Sequence, residues 1–172
     1  AASAVALPAP SAAPINIVAS GGVIAHTPSL WRVALMMLDA AEPHGLARLW
    51  ADRAGILAQI GAFSAINRPA ARSLLQSSAL CSLGLAICLD GAATPGSKAA
   101  DIEMRLADGS VRRTIAAWGS LHLLHTAGLG QVELTIRPVR GVYLAGRDDG
   151  ATFSTTVANG ELGVILDCRG RP

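Results

Sequence analysis

The spacing of apolar residues changes character along the chain. In the first half, apolar residues form continuous runs. They predict a short buried strand at Ile15–Ala19 and, from Leu30 to Ala41, a helix that is apolar on nearly every face. Thr27 or Ser29 can cap this helix, and a proline and a glycine follow its end. The helix is therefore predicted to be buried on several sides.

The rest of the first half continues as a mixture of helices and strands. "RAGILAQIGAFSAIN" predicts a helix that ends near Gly61, and Asn67 with Pro69 starts another that runs through Gln76. "GLARLWAD" is an ambiguous short strand. "LGLAICLD" predicts an apolar strand that an Asp-Gly pair ends.

The pattern turns to alternation after "GAATPGSKAA", a stretch of turn and linker composition at residues 91–100. "DIEMRLADGSVRRTI" alternates apolar and polar residues around Asp108-Gly109, which predicts a hairpin. Four more short runs follow, punctuated by Gly and Asn. This spacing is typical of a small antiparallel sandwich or barrel.

These patterns predict a fold class of α/β followed by all-β. A helix-rich α/β segment covers residues 15–95, and an antiparallel β domain covers residues 96–172. Residues 1–14 are rich in Ala and Pro and predict an extended linker. They carry no basic residue, so they do not make a signal peptide, and the first residue is Ala rather than Met. We therefore expect the chain to be a fragment of a longer protein.

Composition narrows the classes of function. Apolar residues make up 51% of the chain and charged residues 15%, so some apolar surface is expected to be covered by a partner or by a missing part of the same protein. No stretch has the length and the freedom from Gly, Pro and charge that a membrane span needs. The net charge of +2 comes from scattered arginines with few aromatic residues, which argues against nucleic acid binding.

The cysteines indicate a compartment rather than a site. Cys81, Cys88 and Cys168 are odd in number and follow no CxxC spacing, so neither a zinc site nor a disulfide framework is indicated. We interpret them as reduced core thiols of a cytoplasmic protein.

The candidate ligand site is the glycine pair in "INIVASGGVIAHTP". Glycines after a strand let a ligand approach the backbone, and a following helix offers free N–H groups to an anion. Gly21, Gly22 and Val23 are the candidate cofactor-binding residues, together with His26, which can also orient the turn or cap a helix. A tight turn in a core explains the same residues, so both interpretations stay open.

Other chemistry-bearing residues do not form a recognisable set. His122 and His125 lie in a predicted strand, where residues three apart face opposite ways, so no metal site is predicted. Asp148-Asp149-Gly150 has turn composition. There is no G-x-S-x-G element and no Walker lysine motif, and Asp39 and Asp52 are single carboxylates. We predict no catalytic residue for this chain alone.

Four pieces of the chain, in order, resemble the C-terminal part of the glutamate mutase accessory family, called MutL or GlmL. That family carries a GGVL-AH-P element, then "LLDAL-P-G", then "LGALA--NP-AA", and ends in "GG-LGLIIDARGRP". The matching pieces here are Gly21–Pro28, Leu38–Gly45, Ile60–Ala71 and Gly160–Pro172. Two details differ from the family pattern. Cys168 stands where the family usually has a small residue, and "HTPSLWR" replaces an "HAPR-G" type of run.

The resemblance implies an ATPase with an actin-like fold in the complete protein. Residues 15–95 would be a partial actin-like (ribonuclease-H-like) lobe, and Gly21-Gly22 would lie near the adenosine. ATP with Mg²⁺ would be bound between two lobes, but the N-terminal phosphate loop and its aspartate are absent from this chain. The chain alone is therefore expected to bind no cofactor and to hydrolyse no ATP.

The resemblance also implies partners. The first would be the N-terminal half of the same protein or a partner subunit, and the second a cobalamin-dependent carbon-skeleton mutase that the protein assists. The alternative is a non-enzymatic structural or scaffolding subunit, derived from that family, that docks in a larger assembly. The absence of a catalytic constellation in the sequence is consistent with both.

Overall fold

The computed structural model describes residues 13–126, 131–157 and 160–170, without the side chains of residues 77 and 78. Most of the predicted linker at residues 1–14 lies outside the described residues. The described part is built in three layers: a helix, a mixed β-sheet and an antiparallel β-sheet. The fold is thus mixed α/β.

The described residues contain four α-helices and ten strands. The helices are α1 (Gly22–His26), α2 (Leu30–Ala41), α3 (Leu57–Ser64) and α4 (Arg68–Leu74), and α4 continues into a π-helical segment, Leu75–Ala79. The strands are β1 (Ile15–Ala19), β2 (Gly45–Ala51), β3 (Cys81–Gly91), β4 (Lys98–Arg105), β5 (Val111–Ala117), β6 (Leu121–Leu124), β7 (Val132–Pro138), β8 (Val142–Leu144), β9 (Phe153–Val157) and β10 (Gly163–Asp167). None of the described helices combines the length and the apolar composition of a membrane span.

The mixed sheet has the strand order β1-β2-β3-β10-β6. β1 and β2 are parallel, β2 and β3 are antiparallel, β3 and β10 are parallel, and β10 and β6 are antiparallel. β2 pairs with β3 as far as Cys88, and β8 pairs with the last three residues of β3, Leu89–Gly91. β3 is therefore the central strand and has neighbours from distant parts of the chain.

The second sheet is antiparallel and has the order β5-β4-β7-β9. The predicted hairpin joins β4 to β5 and is confirmed. The backbone N–H of Ser110 donates to Asp108 Oδ1 at 2.8 Å, and Gly109 has a φ of +82°. A left-handed residue at this position favours glycine, which explains the Asp-Gly signal.

Two clusters of buried side chains hold the layers together. In one, Val33, Ala34, Met37 and Leu38 of α2 pack on the mixed sheet. The other lies between the two sheets, and its largest buried members include Ile87, Leu89, Ile102, Leu134, Ile136 and Leu166. The composition change predicted near residue 95 falls in the turn before β4, and the second cluster takes side chains from both sides of that turn.

Several predicted elements are confirmed at their bounds. β1 and α2 have the predicted bounds, Ser29 caps α2, and the Asn67 side chain accepts a hydrogen bond from Ala70 N at the start of α4. The prediction that β1 is buried was wrong, because its residues alternate between partly buried and exposed. "GLARLWAD" forms strand β2. The helix predicted to end near Gly61 continues to Ser64.

The antiparallel unit predicted for the C-terminal segment needs a correction. Only β4, β5, β7 and β9 form it, because β6, β8 and β10 pair within the mixed sheet. β10 is parallel to β3. Its five residues are all buried, and a strand buried on both faces is typical of a central position in a covered sheet.

Candidate functional site

The predicted glycine pair lies in an open loop at the end of β1. A Cβ atom placed on Gly21 or on Gly22 would have no heavy atom within 4 Å. Val23 is 68% exposed, and His26 is exposed as well. The four predicted residues are therefore together at the surface, and the two glycines face open space.

The helix that follows the glycines differs from the prediction. We expected the long helix α2 to follow the turn and to present its N-terminus there, but the five-residue helix α1 starts at Gly22 instead. Thr27 ends α1, because its hydroxyl and its backbone N–H both donate to the carbonyl of Val23. Pro28 has no N–H to continue the helix, so α2 has to start anew at Leu30.

The two glycines have different backbone requirements. Gly21 has a φ of +114°, a conformation that residues with a side chain rarely adopt, whereas no left-handed φ is found at Gly22. Gly21 is thus required by the conformation of the loop. Gly22 is required neither by its conformation nor by its packing within the described residues.

A buried carboxylate anchors the loop from beneath. Asp52 is completely buried, and its Oδ2 accepts hydrogen bonds from Ser20 Oγ at 2.8 Å and from the backbone N–H of Leu57 at 2.9 Å. Its Oδ1 accepts a hydrogen bond from Ile56 N at 3.1 Å. One side chain thus joins the glycine loop after β1 to the start of α3.

The protonation of Asp52 follows from these contacts. Burial acts to raise the pKa of the carboxyl group, but the hydrogen bonds from Leu57 N–H, Ser20 Oγ and Ile56 N–H outweigh it and hold the pKa below its ordinary value. Asp52 is therefore charged at neutral pH. Both of its oxygens already accept hydrogen bonds, so it serves as an anchor and is poorly placed to bind a ligand.

Arg53 holds the other end of α1. Its Nη1 donates to the carbonyl of Ile24 at 2.9 Å and also to the carbonyl of Thr27. Asp52 and Arg53 are adjacent at the end of β2. A single loop therefore holds both Ser20, which precedes the glycines, and Thr27, which follows α1.

The role of these two residues was not predicted from the sequence. The signal available there was an Asp that follows a predicted strand shortly before a predicted helix.

The position of the loop in the sheet also matters. β1 and β2 are parallel neighbours, and the Ser20–Gly22 loop and the Asp52 loop leave from their carboxyl ends. In open α/β sheets, ligands bind preferentially outside the carboxyl ends of parallel strands. The exposed glycine backbone is therefore at the end of the strand pair where a ligand is expected.

The remaining candidates are engaged in local structure. His122 Nε2 accepts a hydrogen bond from Ala117 N at 3.0 Å, and Asp149 accepts one from Gly141 N, which confirms the predicted turn. Asp39, for which no partner could be identified in the sequence, accepts a hydrogen bond from Arg169 Nη1 at 2.7 Å. Within the described residues, no group of three or more His, Cys, Asp or Glu side chains could hold a metal ion.

None of the three cysteines forms a disulfide, and Cys88 and Cys168 are buried, as predicted. Burial, and after it the Asp167 carboxylate, raises the pKa of Cys168 to about 12. Cys81 is partly exposed, and burial and the charge of Glu161 raise its pKa, although Arg53 acts in the opposite direction. Slow reaction of the buried thiols with labelling reagents stays a prediction.

No protein-family model, curated protein or solved structure matches this chain. The resemblance to the glutamate mutase accessory family therefore rests on the motifs in the sequence, and the function that it implies is a proposal.

Proposed function

We propose that this chain is the C-terminal portion of an actin-like ATPase of the glutamate mutase accessory type, and that its glycine loop forms part of the adenosine site. The order of the four motif pieces supports the family. In this proposal the α/β segment belongs to one lobe of the ATPase, and the N-terminal half of the same protein supplies the other side of the nucleotide cleft.

The exposed backbone at Gly21 and Gly22 is the observation that carries this proposal. The glycines are uncovered within the described part of the chain, and the loop is fixed in place by the buried Asp52 carboxylate. Surface turns are commonly uncovered, so the position of this loop at the carboxyl ends of the parallel strands β1 and β2 also supports the proposal. A fixed, uncovered glycine backbone at that position is suited to contact the flat face or the ribose of a nucleoside.

The metal and phosphate chemistry has no counterpart among the residues around this loop. Phosphoryl transfer needs a carboxylate that holds Mg²⁺ and a positioned water, and the nearest carboxylate, Asp52, already accepts three hydrogen bonds. We therefore assign this chain to nucleoside contact, and the phosphate chemistry to the N-terminal half.

This division of labour predicts the outcome of a turnover assay. Residues 1–172 alone should release no phosphate from ATP above the rate without protein, whereas the complete protein should show turnover that depends on Mg²⁺. Phosphate release by both preparations should be compared at equal concentration. Turnover by residues 1–172 that Gly22→Val abolishes would show that this chain is self-sufficient and would contradict the assignment.

A second candidate function, a non-enzymatic docking subunit, is favoured by the α3–α4 hairpin. Four large apolar side chains of the hairpin and its π-helical extension are exposed: Phe63 at 37%, Ile66 at 85%, Leu74 at 44% and Leu75 at 40%. A groove of about 370 Å³ lies between the helices and is flanked by Arg68 and Arg72, for which the described residues offer no ion-pair partner. Apolar residues with basic neighbours are suited to a polypeptide that carries apolar and acidic side chains.

The polypeptide that binds the α3–α4 groove differs between the two proposals. In the ATPase proposal it is the N-terminal half, and in the docking proposal it is another subunit, such as a cobalamin-dependent mutase. The cytoplasm is the proposed location, and the absence of a disulfide among the three cysteines is consistent with it.

The docking surface predicts a charge-dependent interaction. Arg72→Glu should weaken binding of residues 1–172 to the separately expressed N-terminal half by about tenfold, because it opposes acidic side chains across the groove. The change can be measured by titration calorimetry, with Arg112→Glu on β5 as a control of equal charge change. Equal affinities for the two variants would contradict a role of the hairpin in docking.

A further inference from the structure

The antiparallel sheet leaves part of the mixed sheet uncovered. Along β2, Leu46 is buried between the sheets, but Arg48 on the same face is exposed and Trp50 is only half-buried. The neighbouring strand β1 places Asn16 beside Arg48 and Val18 beside Trp50 in the sheet register, and both are exposed. β1 and β2 thus form an open shelf next to β9, the edge strand of the antiparallel sheet.

A cavity of about 240 Å³ lies where this shelf meets β9. None of the described residues that line it is acidic, and Arg48 supplies its only charge within the described part of the chain. Its lining includes Arg48, Trp50, Ser82, Leu85, Thr155 and Thr156. Thr155 is on the inner face of β9, between the buried Phe153 and Val157, whereas the Thr156 side chain is on the opposite face. The cavity therefore combines one cation, the hydroxyl groups of Ser82 and Thr155, and an apolar wall. It shares no residue with the glycine loop.

Among the residues that the structure describes, the polar side chains of this cavity have no protein partner, whereas its aromatic wall is held in place. Trp50 Nε1 donates to Asn16 Oδ1 at 3.1 Å, which satisfies the indole N–H and leaves the ring face available. Within the described residues, no ion pair or hydrogen bond engages the Arg48 guanidinium or the hydroxyls of Ser82 and Thr155. Trp50 and Ser82 are partners in the β2–β3 register, so they lie on the same face.

We propose that this cavity binds a small planar organic carboxylate. The guanidinium of Arg48 would hold the carboxylate group, and guanidinium and carboxylate are matched in charge and in geometry. The planar part of the ligand would lie against the Trp50 ring and Leu85, where apolar surface is removed from water. The volume limits the ligand to the size of a single aromatic ring with its carboxylate.

Benzoate and benzamide are matched probes, since they have the same shape and differ in charge. Residues 1–172 should bind benzoate saturably, with a dissociation constant of about 1 mM, a value within reach of so few atoms. Benzamide should bind at least about tenfold more weakly, because it cannot form the charged contact with Arg48. Binding can be followed by NMR shifts of the Trp50 indole N–H, and of the backbone amides that line the cavity where Trp50 is replaced.

Three variants test whether benzoate binds in this cavity. Arg48→Gln should weaken benzoate binding about tenfold and change benzamide binding much less, since only benzoate forms a charged contact with the guanidinium. Arg112→Gln, on the exposed strand β5, is the matched control and should bind benzoate like the unmodified protein. Trp50→Leu should weaken both probes. Circular dichroism confirms that each variant is folded.

Three outcomes would overturn the proposal. The first is the absence of saturable benzoate binding up to about 10 mM, a range that covers a weak fragment-sized ligand. The second is equal benzoate affinity for Arg48→Gln and Arg112→Gln. The third is binding of inorganic phosphate as tightly as benzoate, which would show that the planar part of the ligand contributes nothing.

Discussion

Replacing Gly84 by alanine is expected to lower the free energy of unfolding by about 3 to 5 kcal/mol, since overpacking and a disfavoured backbone conformation add together. Gly84 lies in β3 with a φ of +142°, and its partner in β10 is Gly163. A Cβ atom on Gly84 would come to 2.1 Å from the carbonyl oxygen of Gly163. Neither backbone can move away without breaking the parallel pairing of β3 and β10.

Urea unfolding followed by circular dichroism measures this effect. Gly61→Ala is the matched control, because Gly61 lies in helix α3 and a Cβ there has no heavy atom within 4 Å. This control should be neutral or slightly stabilising, by up to about 1 kcal/mol. If Gly84→Ala were as stable as Gly61→Ala, the close approach of β3 and β10 would be wrong.

The second large effect is expected for Asp52→Ala, which should lower the free energy of unfolding by about 3 kcal/mol, because three part-buried donors lose a charged acceptor and the buried site loses its side chain. The affected donors are Ser20 Oγ, Ile56 N–H and Leu57 N–H. Asp148→Ala, which removes an exposed carboxylate, is the control and should change stability little. Equal stability of the two variants would rule out the anchoring role of Asp52.

The pH dependence of this effect has a defined sign. The pKa of Asp52 is lowered in the folded state, so the unfolded chain takes up the proton first as the pH falls. The stabilisation by Asp52 is then complete above the unfolded pKa of about 3.9 and is lost as the pH falls through the folded value. The stability difference between the protein and Asp52→Ala should therefore be constant near neutral pH and shrink below about pH 4.

Local signals in the sequence were sufficient for the elements that depend on neighbouring residues. The alternation around Asp108-Gly109 predicted the hairpin, and the apolar run from Leu30 to Ala41 predicted the helix α2. The prediction that α2 is buried on several sides was wrong, because only the face with Val33, Ala34, Met37 and Leu38 is buried. Both signals come from side-chain periodicity and turn chemistry, which act over a few residues.

Long-range pairing could not be predicted in the same way. The alternation of β6 and the apolar run of β10 identify strands, but they carry no information about which sheet each strand joins. Gly84 was part of an ordinary apolar strand in the sequence, and the reasons why it is glycine, the approach of Gly163 and a φ of +142°, are visible only in the structure. In the same way, the contact of Asp52 with Ser20 joins residues that are 32 positions apart.

The sequence indicated which residues make up the candidate site, but it did not indicate the helix that contains Gly22, Val23 and His26. Gly21, Gly22, Val23 and His26 are together at the surface, as the strand-Gly-Gly-helix pattern indicated. Helix α1 was missed because five residues are too few to show a helical period. A role in nucleotide binding stays a prediction.

The central claim is that the glycine loop contacts the adenosine of a bound nucleotide, and Gly22→Val tests it most directly. A Cβ on Gly22 meets no heavy atom within 4 Å, and no left-handed φ is found there, so the variant should keep its stability to within about 1 kcal/mol. Its side chain would fill the space that the nucleoside needs. Gly61→Val, at a second uncrowded helical glycine, is the matched control.

The measurement is a titration of a non-hydrolysable ATP analogue into the complete protein and into each of the two variants. The account predicts that Gly22→Val binds the analogue at least about tenfold more weakly, while Gly61→Val binds it like the unmodified protein. Equal affinity of the unmodified protein and Gly22→Val would contradict the account and leave Gly21-Gly22 as a turn alone.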